Sequence, residues 1–226
     1  MKMSSTEGIM KQEICKLVEQ EKVIAIVRGV DPDTCLKVAE ALYAGGIRLL
    51  EVTFPQKNPE LHQKTADTIA VLKQAFEGRM RIGAGTAVTV EQVDMAAKAG
   101  AEYIISPNVD TDVIRRTLEL GLVSMPGALT PSEVMIAHKA GADYVKLFPI
   151  GLMGVDYVKA IMAPISHVKM LAVGNISSDN AADYIKAGVL GVGVGGKLVN
   201  KNAIAAGDFE SLTNAARELI AAVNNV

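Results

Sequence analysis

One lysine lies in the middle of an apolar run, the segment YVKLFP at residues 144–149. If this run is a β-strand, its side chains alternate between two faces, and Lys146 shares a face with Tyr144 and Phe148. In a closed barrel one face of every strand points inward. Burial there would lower the pKa of the ammonium and leave more neutral amine to attack carbonyls. Lys146 is therefore the leading candidate for a Schiff-base lysine, and an inward structural lysine paired with a carboxylate is the alternative.

A glutamate occupies the same kind of position in a second apolar run, LLEVTF at residues 49–54. Glu51 would project into a barrel or pack against a helix, where burial raises the pKa of a carboxyl and suits it to proton transfer near neutral pH. A lysine and a glutamate on different strands of one barrel could together form a carbinolamine and move its protons. A buried structural ion pair is the alternative.

Three glycine-rich segments lie at the ends of predicted strands, and an arginine ends the first strand. The segments are GAGT at 83–86, VGNIS at 173–177 and GVGGK at 193–197. Their N–H groups, and the hydroxyl of Thr86, could face an anion, and barrels often bind phosphate after the seventh and eighth strands. Arg28 has the planar fork that suits a carboxylate or a phosphate. Plain turn glycines and a surface arginine are the alternatives.

The remaining chemistry-bearing residues form no known motif. His62, His138 and His167 are scattered, and the sequence contains no HExxH, GxSxG, P-loop or dinucleotide-binding fingerprint. We therefore predict no catalytic metal.

Short, β-branched apolar runs predict eight strands that are buried on both faces, as in a parallel sheet. They lie at 23–27, 49–54, 81–85, 103–106, 122–125, 144–148, 170–173 and 191–194. Helical spacing of apolar residues predicts helices between them at 34–44, 61–76, 90–99, 111–120, 131–139, 155–162 and 180–187. Five of these helices should end in a left-handed glycine cap, at Gly45, Gly100, Gly121, Gly141 and Gly188.

This alternation predicts an α/β fold, a single (β/α)8 TIM barrel domain across residues 1–226 with an extra N-terminal helix. Residues 7–21 and 208–224 are expected to form amphipathic helices that flank the barrel. An open doubly wound sheet is the alternative.

Composition narrows the classes of partner. The chain has 226 residues, with 23 basic and 25 acidic side chains, a net charge of −2 that favours neither nucleic acid nor a membrane surface. Aromatic residues make up only 4% and tryptophan is absent, which argues against a base-stacking platform. Cys15 and Cys35 have no spacing typical of zinc sites, and no signal peptide or membrane span is evident. We expect a soluble, cytoplasmic protein.

Taken in order, the motifs resemble a family, the class I pyruvate aldolases that act on 2-keto-3-deoxy-6-phosphogluconate (KDPG) and 4-hydroxy-2-oxoglutarate (KHG). The resemblance covers nearly the whole chain. Its most specific segments are GGI at 45–47, EVT at 51–53, GAGT at 83–86, ISP at 105–107, MPG at 125–127, TPSE at 130–133 and KLFP at 146–149.

The resemblance implies a homotrimeric barrel in which Lys146 forms the Schiff base and Glu51 is the general acid and base. Thr86, Pro107 and Phe148 would line the pyruvate pocket, and Arg28 would point at the anionic end of the substrate. The loops after the seventh and eighth strands would hold the phosphate; the residues there are Gly174, Asn175, Gly195 and Gly196. No metal or other cofactor is implied, because the protonated imine is itself the electron sink.

The chain departs from the family pattern at three places. Pro55 stands where many members have an arginine that holds the pyruvate carboxylate, and Val173, Asn175 and Lys197 alter the phosphate loops. Cleavage to a different aldehyde, or phosphate binding that uses Lys197, is therefore an alternative. So are an aldolase for phosphogalactonate or an unphosphorylated acid, a phosphosugar isomerase or epimerase with Glu51 as its base, and a non-catalytic anion-binding barrel.

Overall fold

The structure is a computed structural model that describes residues 5–226, with side chains from residue 8 onward. Its centre is a parallel sheet of nine strands in the order β5-β4-β3-β2-β1-β9-β8-β7-β6. The strands are β1 Val23–Val27, β2 Leu49–Thr53, β3 Arg81–Gly85, β4 Tyr103–Ile105, β5 Val123–Met125, β6 Gly127–Ala128, β7 Val145–Leu147, β8 Met170–Val173 and β9 Gly191–Val194.

The two ends of this sheet are consecutive pieces of the chain. Only Pro126 separates β5 from β6, and proline has no N–H with which to continue the ladder. The Met125 carbonyl accepts from Ser106 N at 3.4 Å on one side, and the Pro126 carbonyl accepts from Lys146 N at 2.9 Å on the other. β5 and β6 therefore act as one barrel strand, which makes eight and confirms the predicted (β/α)8 barrel over the open sheet.

Helices surround the barrel in the predicted alternation. They are α2 Pro32–Ala44, α3 His62–Ala75, α4 Val90–Lys98, α5 Thr111–Glu119, α6 Pro131–Lys139, α7 Val155–Met162, α8 Ala181–Lys186, α9 Lys201–Ala205 and α10 Phe209–Asn224. The α6 start is a capping box: Glu133 N donates to Thr130 Oγ1, and the Glu133 carboxylate accepts from Thr130 N. The outward-facing strand residues and the inner faces of the helices share one hydrophobic core.

No helix within residues 5–226 has both the length and the apolar composition needed to cross a bilayer.

The N-terminal helix α1, Ser5–Glu21, closes one end of the barrel and does not lie beside it as predicted. Ile14 and Val18 of α1 are buried against inward-facing residues at the N-terminal ends of the strands, among them Leu49 and Tyr103. The Tyr144 hydroxyl is 3.0 Å from both the Cys15 carbonyl and a Glu19 carboxylate oxygen. The opposite, C-terminal end of the barrel is therefore the end left open to ligands.

Four of the five predicted glycine caps have left-handed backbone, at Gly100, Gly121, Gly141 and Gly188. The prediction for Gly45 is wrong, because its φ is −83° and the next residue, Gly46, takes the left-handed conformation. Gly45 serves close packing: a Cβ there would lie 2.4 Å from the Cβ of Ala216 in α10. Glycine at 45 therefore lets α10 dock against the end of α2.

Candidate active site

Lys146 projects from the middle of β7 into the barrel, as the alternation predicts. Its side chain is only 6% exposed, and its Nζ lies 4.7 Å from the centroid of the Phe148 ring. Burial lowers the pKa of Lys146, the nearby Arg28 charge adds to the lowering, and the Glu51 charge opposes it. The amine is therefore easier to deprotonate than an exposed lysine, as a nucleophile toward carbonyls requires.

Glu51 projects inward from the middle of β2, opposite Ile26 of β1 and Gly83 of β3. It is 1% exposed, and its Oε2 has no hydrogen-bond partner. Burial raises the pKa of Glu51 to about 6, against the opposing charges of Lys146 and Arg28. A carboxyl with this pKa can both accept and release a proton near neutral pH.

Lys146 and Glu51 face each other across one small cavity inside the barrel, lined also by Ile26, Ile105 and Val173. No salt bridge joins the two side chains, so the Lys146 Nζ and the Glu51 carboxylate oxygens are more than 4.0 Å apart. The two groups therefore make no direct salt bridge, although each still stabilises the charged form of the other. The separation leaves both groups free to react with a third molecule.

Two glycines of the GAGT segment leave room for inward-facing side chains of the neighbouring strands, which differs from the anion-facing role considered above. A Cβ on Gly83 would lie 2.1 Å from the Tyr103 ring, and a Cβ on Gly85 would lie 2.5 Å from Cδ of Glu51. Glycine is required at both positions because inward-facing side chains from the neighbouring strands fill the space.

Arg28 and Thr86 meet at the open end of the barrel. Arg28 Nη2 donates to Thr86 Oγ1 at 3.2 Å, and Thr86 has a left-handed backbone with φ of 54°. Gln56 Nε2 donates to the Thr86 carbonyl at 2.7 Å, while Gln56 Oε1 accepts from Gln92 at 3.0 Å. Gln56 and Gln92 are supporting residues that the sequence analysis missed, since an isolated glutamine has no distinguishing motif.

Pro107 and Phe148 line a cavity of about 570 Å³ between the loops after β4 and β6. Thr86 is not among the lining residues of that cavity. Phe148 of this cavity also lies against Lys146, and the pyruvate pocket formed by Thr86, Pro107 and Phe148 stays a prediction. Gly127 allows the close approach here, because a Cβ on it would lie 2.4 Å from the Pro107 carbonyl.

The loops after β8 and β9 lie at the same end of the barrel. Gly174 and Asn175 have left-handed backbone, and the Asn175 carbonyl accepts from Asn180 Nδ2 at 3.1 Å. Gly195 and Gly196 line a cavity of about 350 Å³ together with Arg28 and Lys201.

Arg28 and Lys201 also line a larger cavity of about 860 Å³ beside the loop after β2. Lys201 is the first residue of α9, a one-turn helix that the sequence analysis did not predict. Lys197, the cation considered from sequence, lines neither of these two cavities. The structure therefore brings Lys201, and not Lys197, to the side of Arg28.

Over residues 5–226, His, Cys, Asp and Glu side chains form no group of three that could hold a metal ion. The expectation of a mechanism without metal or cofactor stays a prediction.

A (β/α)8 barrel in which a buried amine and a buried carboxyl project from two strands into one inner cavity is the arrangement of a class I aldolase. The family described as "Aldolase: KDPG and KHG aldolase" matches residues 14–215. The chain therefore belongs to the KDPG and KHG aldolase family, and the enzyme is a carbon–carbon lyase. The alternatives of an isomerase and of a non-catalytic anion-binding barrel are thereby wrong.

Individual relatives support the same assignment. The chain is 36% identical over 177 residues to a 2-dehydro-3-deoxy-6-phosphogalactonate aldolase of Escherichia coli, covering 78% of this chain and 83% of the relative. It is 34% identical over 202 residues to a 2-dehydro-3-deoxy-phosphogluconate aldolase of Treponema pallidum, covering 88% and 92%. A KDPG aldolase structure from Legionella pneumophila, with pyruvate captured as a covalent carbinolamine, superposes with a TM-score of 0.81 at 28% identity, covering 91% and 97%.

Proposed function

We propose that the enzyme reversibly cleaves KDPG to pyruvate and glyceraldehyde 3-phosphate, with Lys146 forming the imine and Glu51 moving the protons. The observation that carries this proposal is the pair of buried side chains facing one cavity without a salt bridge between them. Their pKa values are displaced toward neutrality from opposite sides, upward for Glu51 and downward for Lys146. Groups whose environments do this are suited to acid–base and nucleophilic roles.

In the cleavage direction, the neutral Lys146 amine attacks C2 of the substrate, and the resulting carbinolamine loses water to give a protonated imine. The Glu51 carboxylate then takes the proton of the C4 hydroxyl, the C3–C4 bond breaks, and its electron pair moves into the imine to form an enamine. Glu51 returns a proton to C3, and water releases pyruvate and the free amine. The Phe148 ring, 4.7 Å from Nζ, can stabilise the cationic imine through its π face.

The anionic end of the substrate is proposed to lie between Arg28 and Lys201. Both side chains line the two cavities at the open end of the barrel, and Lys64 lines the larger one. A cluster of cations around an open cavity suits a phosphate group. Gly195 and Gly196, which line the smaller cavity with them, let the ligand approach the backbone.

A phosphogalactonate substrate is the second candidate, because the identity to the phosphogalactonate aldolase, at 36%, slightly exceeds that to the phosphogluconate aldolase, at 34%. KHG, which would give pyruvate and glyoxylate, is a third candidate that follows from the family. Measuring cleavage of the three acids tests these candidates directly, because the acid with the largest kcat/KM is the substrate. If the enzyme cleaved only KHG, phosphate recognition would be refuted.

Trapping with borohydride in the presence of pyruvate tests the imine. We expect one reduced pyruvate adduct, on the peptide that contains Lys146. Lys146→Met should lose the adduct and the cleavage activity, and Lys146→Arg should do the same because it keeps the charge but not the amine. Cleavage retained by Lys146→Arg, or an adduct on another lysine, would refute the assignment.

The proposed contact between Lys201 and the phosphate has a matched control, because Lys197 is a second lysine only four residues earlier in the chain. Lys201→Ala should raise the KM for phosphorylated substrates by about tenfold, as expected for the loss of one charge-assisted contact, and leave KHG cleavage unchanged. Lys197→Ala should change neither. Equal effects of the two variants would refute a specific role for Lys201.

Assembly and compartment are proposed on separate grounds. A homotrimer is proposed because the resemblance to the family implies one, and the exposed apolar side chains Ile136, Leu152 and Met153 offer surface for it, at 48%, 75% and 46% exposure. Light scattering on the purified protein tests this. A cytoplasmic location is supported by Cys15 and Cys35, which are free thiols, and cell fractionation tests it.

A further inference from the structure

Two buried side-chain polar atoms lack a hydrogen-bond partner in the part of the chain that the structure describes, and both belong to β2. They are Oε2 of Glu51 and Oγ1 of Thr53. Thr53 is only 4% exposed. Because buried polar groups are almost always hydrogen-bonded, two unpaired atoms on one strand indicate that a polar molecule binds between them.

The placement of Thr53 supports this interpretation. Thr53 lies two residues after Glu51, on the same inward face and about 7 Å further along the strand. Its register partner on β3 is Gly85, and the Glu51 carboxyl occupies the space beside that glycine. Thr53 also lines the large open cavity that contains Arg28, whereas Glu51 lines the inner cavity with Lys146. Thr53 thus lies between the inner cavity, which Glu51 lines, and the open end of the barrel.

The other buried threonines show that this unpaired hydroxyl is unusual. Thr65, Thr68 and Thr117 each donate to the backbone carbonyl four residues earlier, at 3.4, 2.8 and 2.7 Å. A strand residue has no such carbonyl within reach, so Thr53 keeps its hydroxyl available for a ligand.

We propose that Thr53 is a positioning residue, whose hydroxyl holds the substrate oxygen with which Glu51 exchanges a proton. This inference rests on the proposed function. In the cleavage direction the C4 hydroxyl proton passes to the Glu51 carboxylate while the C3–C4 electron pair enters the imine. Thr53 gains and loses no proton; its hydroxyl donates a hydrogen bond to the C4 oxygen and keeps that oxygen aligned with Oε2. Before the substrate binds, a water molecule would take the same position.

Thr53→Val tests the proposal, because valine keeps the shape and removes the hydroxyl. We expect kcat to fall about tenfold, the usual effect of one lost hydrogen bond, with KM within about twofold. We also expect the acidic limb of the pH profile of kcat/KM to move to higher pH, since the bridged carboxylate loses hydrogen-bond support. Thr53→Ser should restore both quantities. The thermal midpoint of Thr53→Val should be equal to or above that of the wild type, because no protein hydrogen bond is lost.

Thr117→Val is the matched control, since it removes a buried hydroxyl that is hydrogen-bonded and lies outside the site. It should lower the thermal midpoint and leave the kinetics unchanged. Wild-type kcat and pH profile in Thr53→Val would overturn the proposal, and so would a failure of Thr53→Ser to restore activity. Borohydride trapping on the wild type distinguishes a failure of the proposed function from a failure of the role of Thr53. If no adduct forms on Lys146, the proposed function is contradicted. If the adduct forms but Thr53→Val has wild-type kinetics, only the role of Thr53 is contradicted.

Discussion

Replacing Glu51 with glutamine is expected to abolish aldol cleavage and to stabilise the folded enzyme at neutral pH. Glu51 is 1% exposed, and its Oε2 has no hydrogen-bond partner. The charged carboxylate is therefore poorly solvated, and burial raises the pKa of Glu51 to about 6. Glutamine has nearly the same shape but does not ionise, so the variant avoids this unfavourable charge and loses the proton carrier.

The size of the effect follows from the pKa values of the folded and unfolded states. The pKa of the Glu51 carboxyl is about 6 in the folded protein against an ordinary value of 4.5. At 1.36 kcal/mol per pH unit, ionisation of Glu51 destabilises the fold by about 2 kcal/mol. Because the folded pKa is the higher one, the stabilisation from the protonated group is complete below pH 4.5 and is lost as the pH rises through about 6. The free energy of unfolding of Glu51→Gln, relative to that of the wild type, should thus increase by about 2 kcal/mol between about pH 4 and about pH 7.5. This corresponds to roughly 4–8 °C in Tm.

Urea unfolding of both proteins at the two pH values measures this difference. Glu102→Gln is the matched control, because Glu102 is equally buried but accepts from Arg81 at 2.7 Å, Lys73 at 3.1 Å and Ile82 N at 3.2 Å. Removing that partnered charge should lower stability at neutral pH by about 1–2 kcal/mol. A stability difference between Glu51→Gln and wild type that does not change with pH would refute the reasoning.

Three further predictions concern the same barrel. Gly83→Ala should destabilise the protein by about 3 kcal/mol or more, or yield no folded protein, because its Cβ would lie 2.1 Å from the Tyr103 ring; thermal melting measures this, and a wild-type Tm would contradict it. The kcat/KM for cleavage should rise with pH through about 6 as Glu51 ionises, and rise further as Lys146, whose pKa is lowered, loses its proton; a profile that is flat from acid to alkaline pH would contradict this. Cys35 should resist maleimide in the native protein, since burial raises the pKa of its thiol to about 12, and should react once urea unfolds the chain.

The fold could be predicted from sequence because each barrel element has its own pattern. All eight predicted runs contain barrel strands, and the predicted helices fall between them. What escaped prediction depends on tertiary packing. Amphipathicity shows that α1 buries one face but not that this face closes the barrel end, and α9, with five residues, is too short for a periodic pattern. The predicted fifth strand ends before Pro126, because proline interrupts the hydrogen-bond ladder, so the prediction does not include β6.

The site was predictable to the extent that strand alternation determines direction. Alternation predicted an inward Lys146 and left Glu51 either inside the barrel or against a helix, and the structure has both side chains inside. It could not show which loop cation stands beside Arg28, because that depends on where the turn into α9 places Lys201. Nor could it show that Thr53 lacks a hydrogen-bond partner, since finding an unpaired group requires the positions of all its neighbours.

The separation of Lys146 from Glu51 keeps both buried groups reactive, at a cost in stability. A close salt bridge would hold the lysine as an ammonium and the glutamate as a carboxylate of low pKa, and neither form could start the reaction. Keeping them apart across a cavity leaves the amine able to lose its proton and the carboxyl able to take one. Gly85 makes that separation possible, because a Cβ there would occupy the position of the Glu51 carboxyl, 2.5 Å from its Cδ. Glutamine at position 51 would restore about 2 kcal/mol of stability, but it would also remove the reactivity of the pair.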